Sequence, residues 1–238
     1  GCACPVLAAR QMPSASETSV SETSRWGWPG WRKLGLTLAL GVLAASGQAP
    51  LELWPLAVLA LAGIMRLINR ASAGGAVWLA WFAGAGYFAA ALNWIVQPFM
   101  VDAARDGWMA PFALPLIAFG LALFWALAAL PLPLLRNRTF GFALCLTATE
   151  LLRGYVLTGF PWALVGHIWI DTPVAQLAAF IGPAGLSLLA LVVAACIAQA
   201  RLLPGLAGGA LLALVWGYGA WVLAQPMPPA RAATLRLV

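Results

Sequence analysis

Of 238 residues, 63% are hydrophobic and 8% charged, where a soluble domain of this size carries about 25% charged residues and about 45–50% apolar ones. Between Leu34 and Ala224, 191 residues hold only 12 Asp, Glu, Lys or Arg, which excludes a soluble enzyme or a disordered chain as a description of the main body. The net charge of +6 does not indicate a nucleic-acid partner either, because the 13 basic residues are scattered singly or in pairs and binding of that kind needs a clustered basic face.

The composition therefore implies an all-α polytopic membrane protein. Residues 1–25, rich in Ser, Thr, Ala and Pro and without periodicity, read as a disordered tail. A spanning helix needs about 20 mostly apolar residues. Seven segments are candidates: Leu34–Ser46, Leu51–Ile68, Ala76–Val96, Trp108–Leu135, Phe140–Leu157, Val174–Ala200 and Leu206–Ala224. The first is short alone. The fourth carries Pro111, Pro115, Pro131 and Pro133, which kink or end a helix, and the sixth is interrupted at Gly182-Pro183, so Val174–Ile181 reads as a short interfacial or re-entrant piece. The expected bundle has about seven spans, within a range of six to eight, over residues 26–224.

With seven spans and the N-terminus inside, nine basic residues fall on the inner segments and four on the outer ones, which by the positive-inside bias places the N-terminus in the cytoplasm and the C-terminus outside. Residues 225–229 read as a linker, and Arg231–Val238 alternates like a first strand of a further domain. Cys145 and Cys196 lie in apolar runs, and the four cysteines have no metal-ligand spacing. They read as small hydrophobes, and neither a metal nor a cofactor is expected.

Glu150 and Arg153 stand three residues apart on a segment expected to be helical, so they share a face and can pair. Each costs about 2.5–3.5 kcal/mol at a bilayer centre. Intramembrane charge is a functional signal by default, and its structural counterpart is a salt bridge locking two helices. Gly159 can supply a left-handed turn, Pro161 cannot continue a helix, and Trp162 suits an interface.

Glu150-x-x-Arg153-Gly154 followed by Leu157-Thr158-Gly159-Phe160-Pro161-Trp162 resembles the membrane-domain signature of bacterial apolipoprotein N-acyltransferases. Pro50–Leu56 (Pro-Leu-Glu-Leu-Trp-Pro-Leu), Asn93-Trp94-Ile95, Asp171-x-Pro173, Ile181-Gly182 and Gly185-Leu186-Ser187 follow in the family's order. The resemblance covers about residues 34–238. It implies a plasma-membrane enzyme of lipoprotein maturation with two substrates, a phospholipid acyl donor and a diacylglyceryl lipoprotein acceptor. The acyl chain passes through a thioester on a cysteine. The implied chemistry belongs to a nitrilase-like extracytoplasmic domain with a Glu-Lys-Cys triad, in which a carboxylate activates the thiol and a lysine stabilises the oxyanion.

No catalytic residue of that kind can be carried over to this sequence. Its one lysine, Lys33, flanks the first apolar run on the expected cytoplasmic side, and the chain alone is expected to be inactive, residues 225–238 leading into a catalytic domain absent from it. A separate nitrilase-like chain is then a further candidate partner. The remaining site expectation is access for lipid substrates, shaped by Glu150, Arg153 and Trp162, with Arg153 a candidate contact for a lipid phosphate. His167, the only histidine, reads as an interfacial surface residue. The alternatives from other classes are a non-catalytic membrane scaffold and a small transporter; the latter predicts more polar residues in the spans and an internal repeat, and no repeat is evident.

Overall fold

The computed structural model describes residues 27–156 and 159–226. Seven helices of 15 residues or more occupy the seven apolar segments: α1 (Trp31–Ala45), α2 (Trp54–Asn69), α3 (Ala73–Ala91), α4 (Ala110–Ala129), α5 (Arg138–Arg153), α6 (Ala178–Ala198) and α7 (Leu202–Leu223). The expected tail (1–25) and strand (231–238) lie outside the described residues, as do Leu157 and Thr158 of the signature.

Not every helix is long enough to cross a bilayer. Three stretches are: Ala103–Leu134, Pro173–Ala198 and Leu202–Leu223; a fourth arises if α3 and the bent segment Asn93–Met100, which meet at 63°, count as one broken span. The 15 and 16 residues of α1, α2 and α5 rise roughly 22–24 Å, short of about 30 Å of hydrocarbon. Three or four spans, and not seven, thus stand on length and composition alone. Pro115 sits inside α4, whereas Pro111 opens that helix and Pro131 follows its end. Gly182 breaks α6 with φ 65°, ψ −178°, a backbone region open essentially to glycine alone.

The core is built on small residues. α3 packs most extensively against α1 and α4, and its Gly84-Ala85-Gly86 run is buried. A Cβ at Gly86 would run into the carbonyl of Leu38, and one at Gly41 into that of Ala83, so α1 and α3 touch backbone to backbone, as small residues allow in membrane helices. α6 contacts α2, α5 and α7. α7 lies at the edge, with only Gly208 and Gly219 buried, and presents Leu206, Leu214 and Trp221 outward; that apolar exterior suits lipid.

The helices alternate in direction, giving the bundle two unlike ends. At one, Ser72 Oγ donates to Gly27 O at 3.3 Å, Arg138 Nη1 to Ala71 O at 2.8 Å and Arg66 Nη1 to Ala198 O at 3.2 Å. Arg32, Lys33, Arg66, Arg70, Arg136, Arg138 and Arg201 all belong to this arginine end. The other, the loop end, holds the connections 46–53, 92–109 and 154–177, with Glu52, Asp102, Asp106 and Asp171.

Candidate functional site

The loop end is organised around residues 159–169, part of the connection between α5 and α6, which form no helix of their own beyond the 3-10 turns of Val165–Trp169. A buried non-helical segment must find partners for its main-chain groups. Arg153 and Glu150, each 2% exposed, provide them. Arg153 Nη1 donates to the carbonyls of Phe160 (2.8 Å) and Trp162 (2.7 Å), and Nη2 to that of Ala163 (3.4 Å). Glu150 Oε1 accepts from Val165 N–H at 2.9 Å. The guanidinium also sits over the Phe88 ring, 5.2 Å from its centroid, a cation–π arrangement favoured where water is excluded.

The expected pairing of Glu150 with Arg153 does not form: among the described residues the one ion pair within 4.0 Å is the exposed Arg105–Asp106 contact at 3.7 Å. Both charges turn to the loop because its carbonyls and amide arrive inside the bundle with no other acceptor or donor. Helix α5 also ends earlier than expected, at Arg153 with Gly154 as its cap. Gly159, with φ 72°, turns the chain back so that the next residue, Phe160, bonds Arg153 O through its N–H at 3.1 Å.

Gln48, Tyr87 and Ser187, none of them an expected site residue, complete the clamp. Tyr87 Oη donates to Leu164 O at 3.1 Å, Gln48 Nε2 donates to the same carbonyl at 3.1 Å, and Gln48 Nε2 also meets Tyr87 Oη. Ser187 Oγ accepts from Gly166 N–H at 2.8 Å, and Trp169 Nε1 donates to Leu186 O at 3.2 Å. Side chains from the α1–α2 connection, α3, α5 and α6 thus grip one loop. Within it Ala163 is held at φ 54°, a left-handed conformation that costs a non-glycine residue about 1–2 kcal/mol and persists because its neighbours are fixed. Gln48, Tyr87 and Ser187 lie 116, 77 and 21 residues from their loop partners, which no local spacing rule detects; Ser187 alone falls in a stretch that carries the resemblance.

Above the clamp lies a cavity of about 400 Å³ bordered by Glu52, Trp54, Trp94, Trp162, His167 and Asp171, among others. Trp162 is 57% exposed and meets Trp94 edge to face, centroids 6.1 Å apart; Trp54 lies 5.5 Å from Trp169 and 5.6 Å from Trp216. His167 is half-buried, and burial, with the positive charge of Arg153 second, holds its imidazole below the ordinary histidine range. No group of three or more His, Cys, Asp or Glu able to hold a metal occurs among the described residues. Of the three expected site residues, Trp162 reaches the cavity, whereas Glu150 and Arg153 lie beneath it and shape its floor through the loop.

Segments far apart in sequence, Pro50–Leu56, Asn93–Ile95, Gly159–Trp162 and Asp171–Pro173, converge on this cavity, on a multi-pass membrane protein of helical class. The sequence of the "Apolipoprotein N-acyltransferase N-terminal domain" family matches residues 40–196. Proteins named apolipoprotein N-acyltransferase are 40% identical over 223 residues in Caulobacter vibrioides, 33% over 229 in Allorhizobium ampelinum and 37% over 207 in Pseudomonas paraeruginosa. These alignments cover 87%, 88% and 83% of this chain and 42%, 43% and 40% of the relatives, so the chain spans about two-fifths of their length. The chain belongs to the apolipoprotein N-acyltransferase family.

Proposed function

We propose that these residues form the inner-membrane part of an enzyme that transfers an acyl chain from a phospholipid to the α-amino group of a diacylglyceryl-cysteine lipoprotein. The observation that carries this reading is the convergence of the family's signature segments on one cavity at one end of the bundle. On this reading residues 26–224 are the membrane domain, its seven helices embedded with the short ones packed inside or met by locally thinned membrane. The loop end, where α7 finishes, faces the extracytoplasmic side, the side on which the family's nitrilase-like catalytic chemistry takes place.

The 238 residues alone are then inactive: Lys33, the single lysine, stands at the opposite end from the cavity. Glu150 and Arg153 act on lipid access as positioning residues, by fixing residues 160–165, and Trp162 meets lipid directly at the cavity mouth. A phosphate contact from Arg153 has no support in its surroundings, since both terminal nitrogens already bond carbonyls.

The test is acyl transfer by membranes carrying the native gene product, from labelled phosphatidylethanolamine to a diacylglyceryl-cysteine peptide. Transfer is expected, and Trp162→Ala is expected to lower it at least tenfold with the protein's membrane level unchanged. Membranes in which the gene product is abundant and no N-acylated peptide appears would overturn the reading.

A further inference from the structure

A second cavity, of about 430 Å³, opens at the arginine end, where the C-termini of α2 and α6 meet the N-terminus of α5. Arg66, Arg70, Arg136, Arg138 and Arg201 line it, with no acidic residue among the lining groups. Two of the five are partly engaged: Arg66 Nη1 with Ala198 O, and Arg138 Nη1 with Ala71 O and, at 3.3 Å, Asn69 O. Nε and Nη2 of Arg138 are buried without a hydrogen-bond partner, and no ion pair reaches any of the five among the described residues.

Membrane orientation by itself asks only for cationic side chains near the cytoplasm, a demand that solvated residues such as Arg32 and Lys33, both exposed at the head of α1, already meet. It does not call for like charges gathered round one cavity, where they repel, nor for orphaned guanidinium N–H groups in its wall, which cost free energy until they find an acceptor. An anion in the cavity relieves the repulsion among the arginines. Guanidinium groups match phosphate oxygens in shape and charge. Beside the arginines, Leu134 and Leu135 precede Arg136, and Leu202 and Leu203 follow Arg201; all four leucines are exposed and offer apolar surface to acyl chains.

We propose that this cavity binds a phosphate group, and that its flanking leucines make the ligand the headgroup of an anionic phospholipid in the leaflet at this end. The site is separate from the loop-end cavity and does not depend on the acyltransferase reading.

The experiment is native mass spectrometry of the detergent-purified full-length protein, titrated in separate arms with dioleoylphosphatidylglycerol, dioleoylphosphatidylcholine and inorganic phosphate. Phosphatidylglycerol is expected to bind at least tenfold more tightly than phosphatidylcholine. The double variant Arg70→Gln/Arg136→Gln, whose side chains are exposed and so are not needed for folding, is expected to weaken it at least tenfold. Arg32→Gln/Lys33→Gln removes the same charge from the same end outside the cavity and is expected to change it less than twofold. Arginine-dependent binding of inorganic phosphate without lipid preference would keep the phosphate site and assign it a soluble ligand. Equal retention of both lipids with no phosphate binding, or equal weakening by the two double variants, would overturn the proposal.

Discussion

The Arg153 guanidinium is held by carbonyls of Phe160, Trp162 and Ala163, and Glu150 accepts the amide of Val165. Charges that pair with main-chain groups fix a loop's path more tightly than a mutual salt bridge would, because each bond pins a particular residue of the loop. Glu150→Ala leaves the Val165 N–H buried without an acceptor, at a cost of about 1–3 kcal/mol, whereas Glu150→Gln keeps an oxygen in place and is expected to cost less than half as much. Unfolding of the purified protein in mixed micelles by increasing SDS fraction checks the ordering of the two variants. The shared face of Glu150 and Arg153 was readable from their spacing. Their partners were not, since these depend on how residues 159–165 fold back, which Gly159 permits but does not dictate.

Helices α1 and α3 meet through Gly41 and Gly86, and Tyr87, next in sequence, thereby reaches the loop. Gly86→Leu forces the two backbones apart and is expected to cost at least about 3 kcal/mol, the upper range for overpacking a dense core, and to disturb Tyr87 and with it the loop; Gly120→Leu, at a position in α4 with open space around it, is expected to be tolerated. Thermal melts in detergent separate the two. Apolar runs located, in order, the seven long helices among the described residues, though only three or four are long enough to span, because burial in lipid or core demands hydrophobicity whatever the tertiary contacts. Their ends were less legible: α5 stops at Arg153, four residues before the apolar segment does, because the loop's polar groups, and not hydropathy, end it. The Gly182-Pro183 interruption was readable, since those two residues allow few other conformations.

Across the bundle the charges segregate. Among the described residues, seven basic residues and no acidic one lie at the arginine end, and Glu52, Asp102, Asp106 and Asp171 lie at the loop end with Arg105, a polarity that favours a cytoplasmic arginine end. In cells expressing a cysteine-free background, Asp102→Cys is expected to react with a membrane-impermeant maleimide added outside and Arg136→Cys only after the membrane is opened; the reverse pattern would invert the molecule. What a single sequence does not display is that segments up to about 120 residues apart gather at one end, since helix direction and order in space come from packing partners such as Gly41 and Gly86.

Buried Arg153 and Glu150 hold residues 160–165 in place beneath the cavity. Hydrogen–deuterium exchange at the amides of Val165 and Gly166, compared between the native protein and Arg153→Ala, tests this most directly. Both amides are expected to be strongly protected in the native protein and to exchange at least a hundredfold faster in the variant, with the amides of α3 and α6 unchanged; unaltered protection of Val165 and Gly166 would contradict the claim.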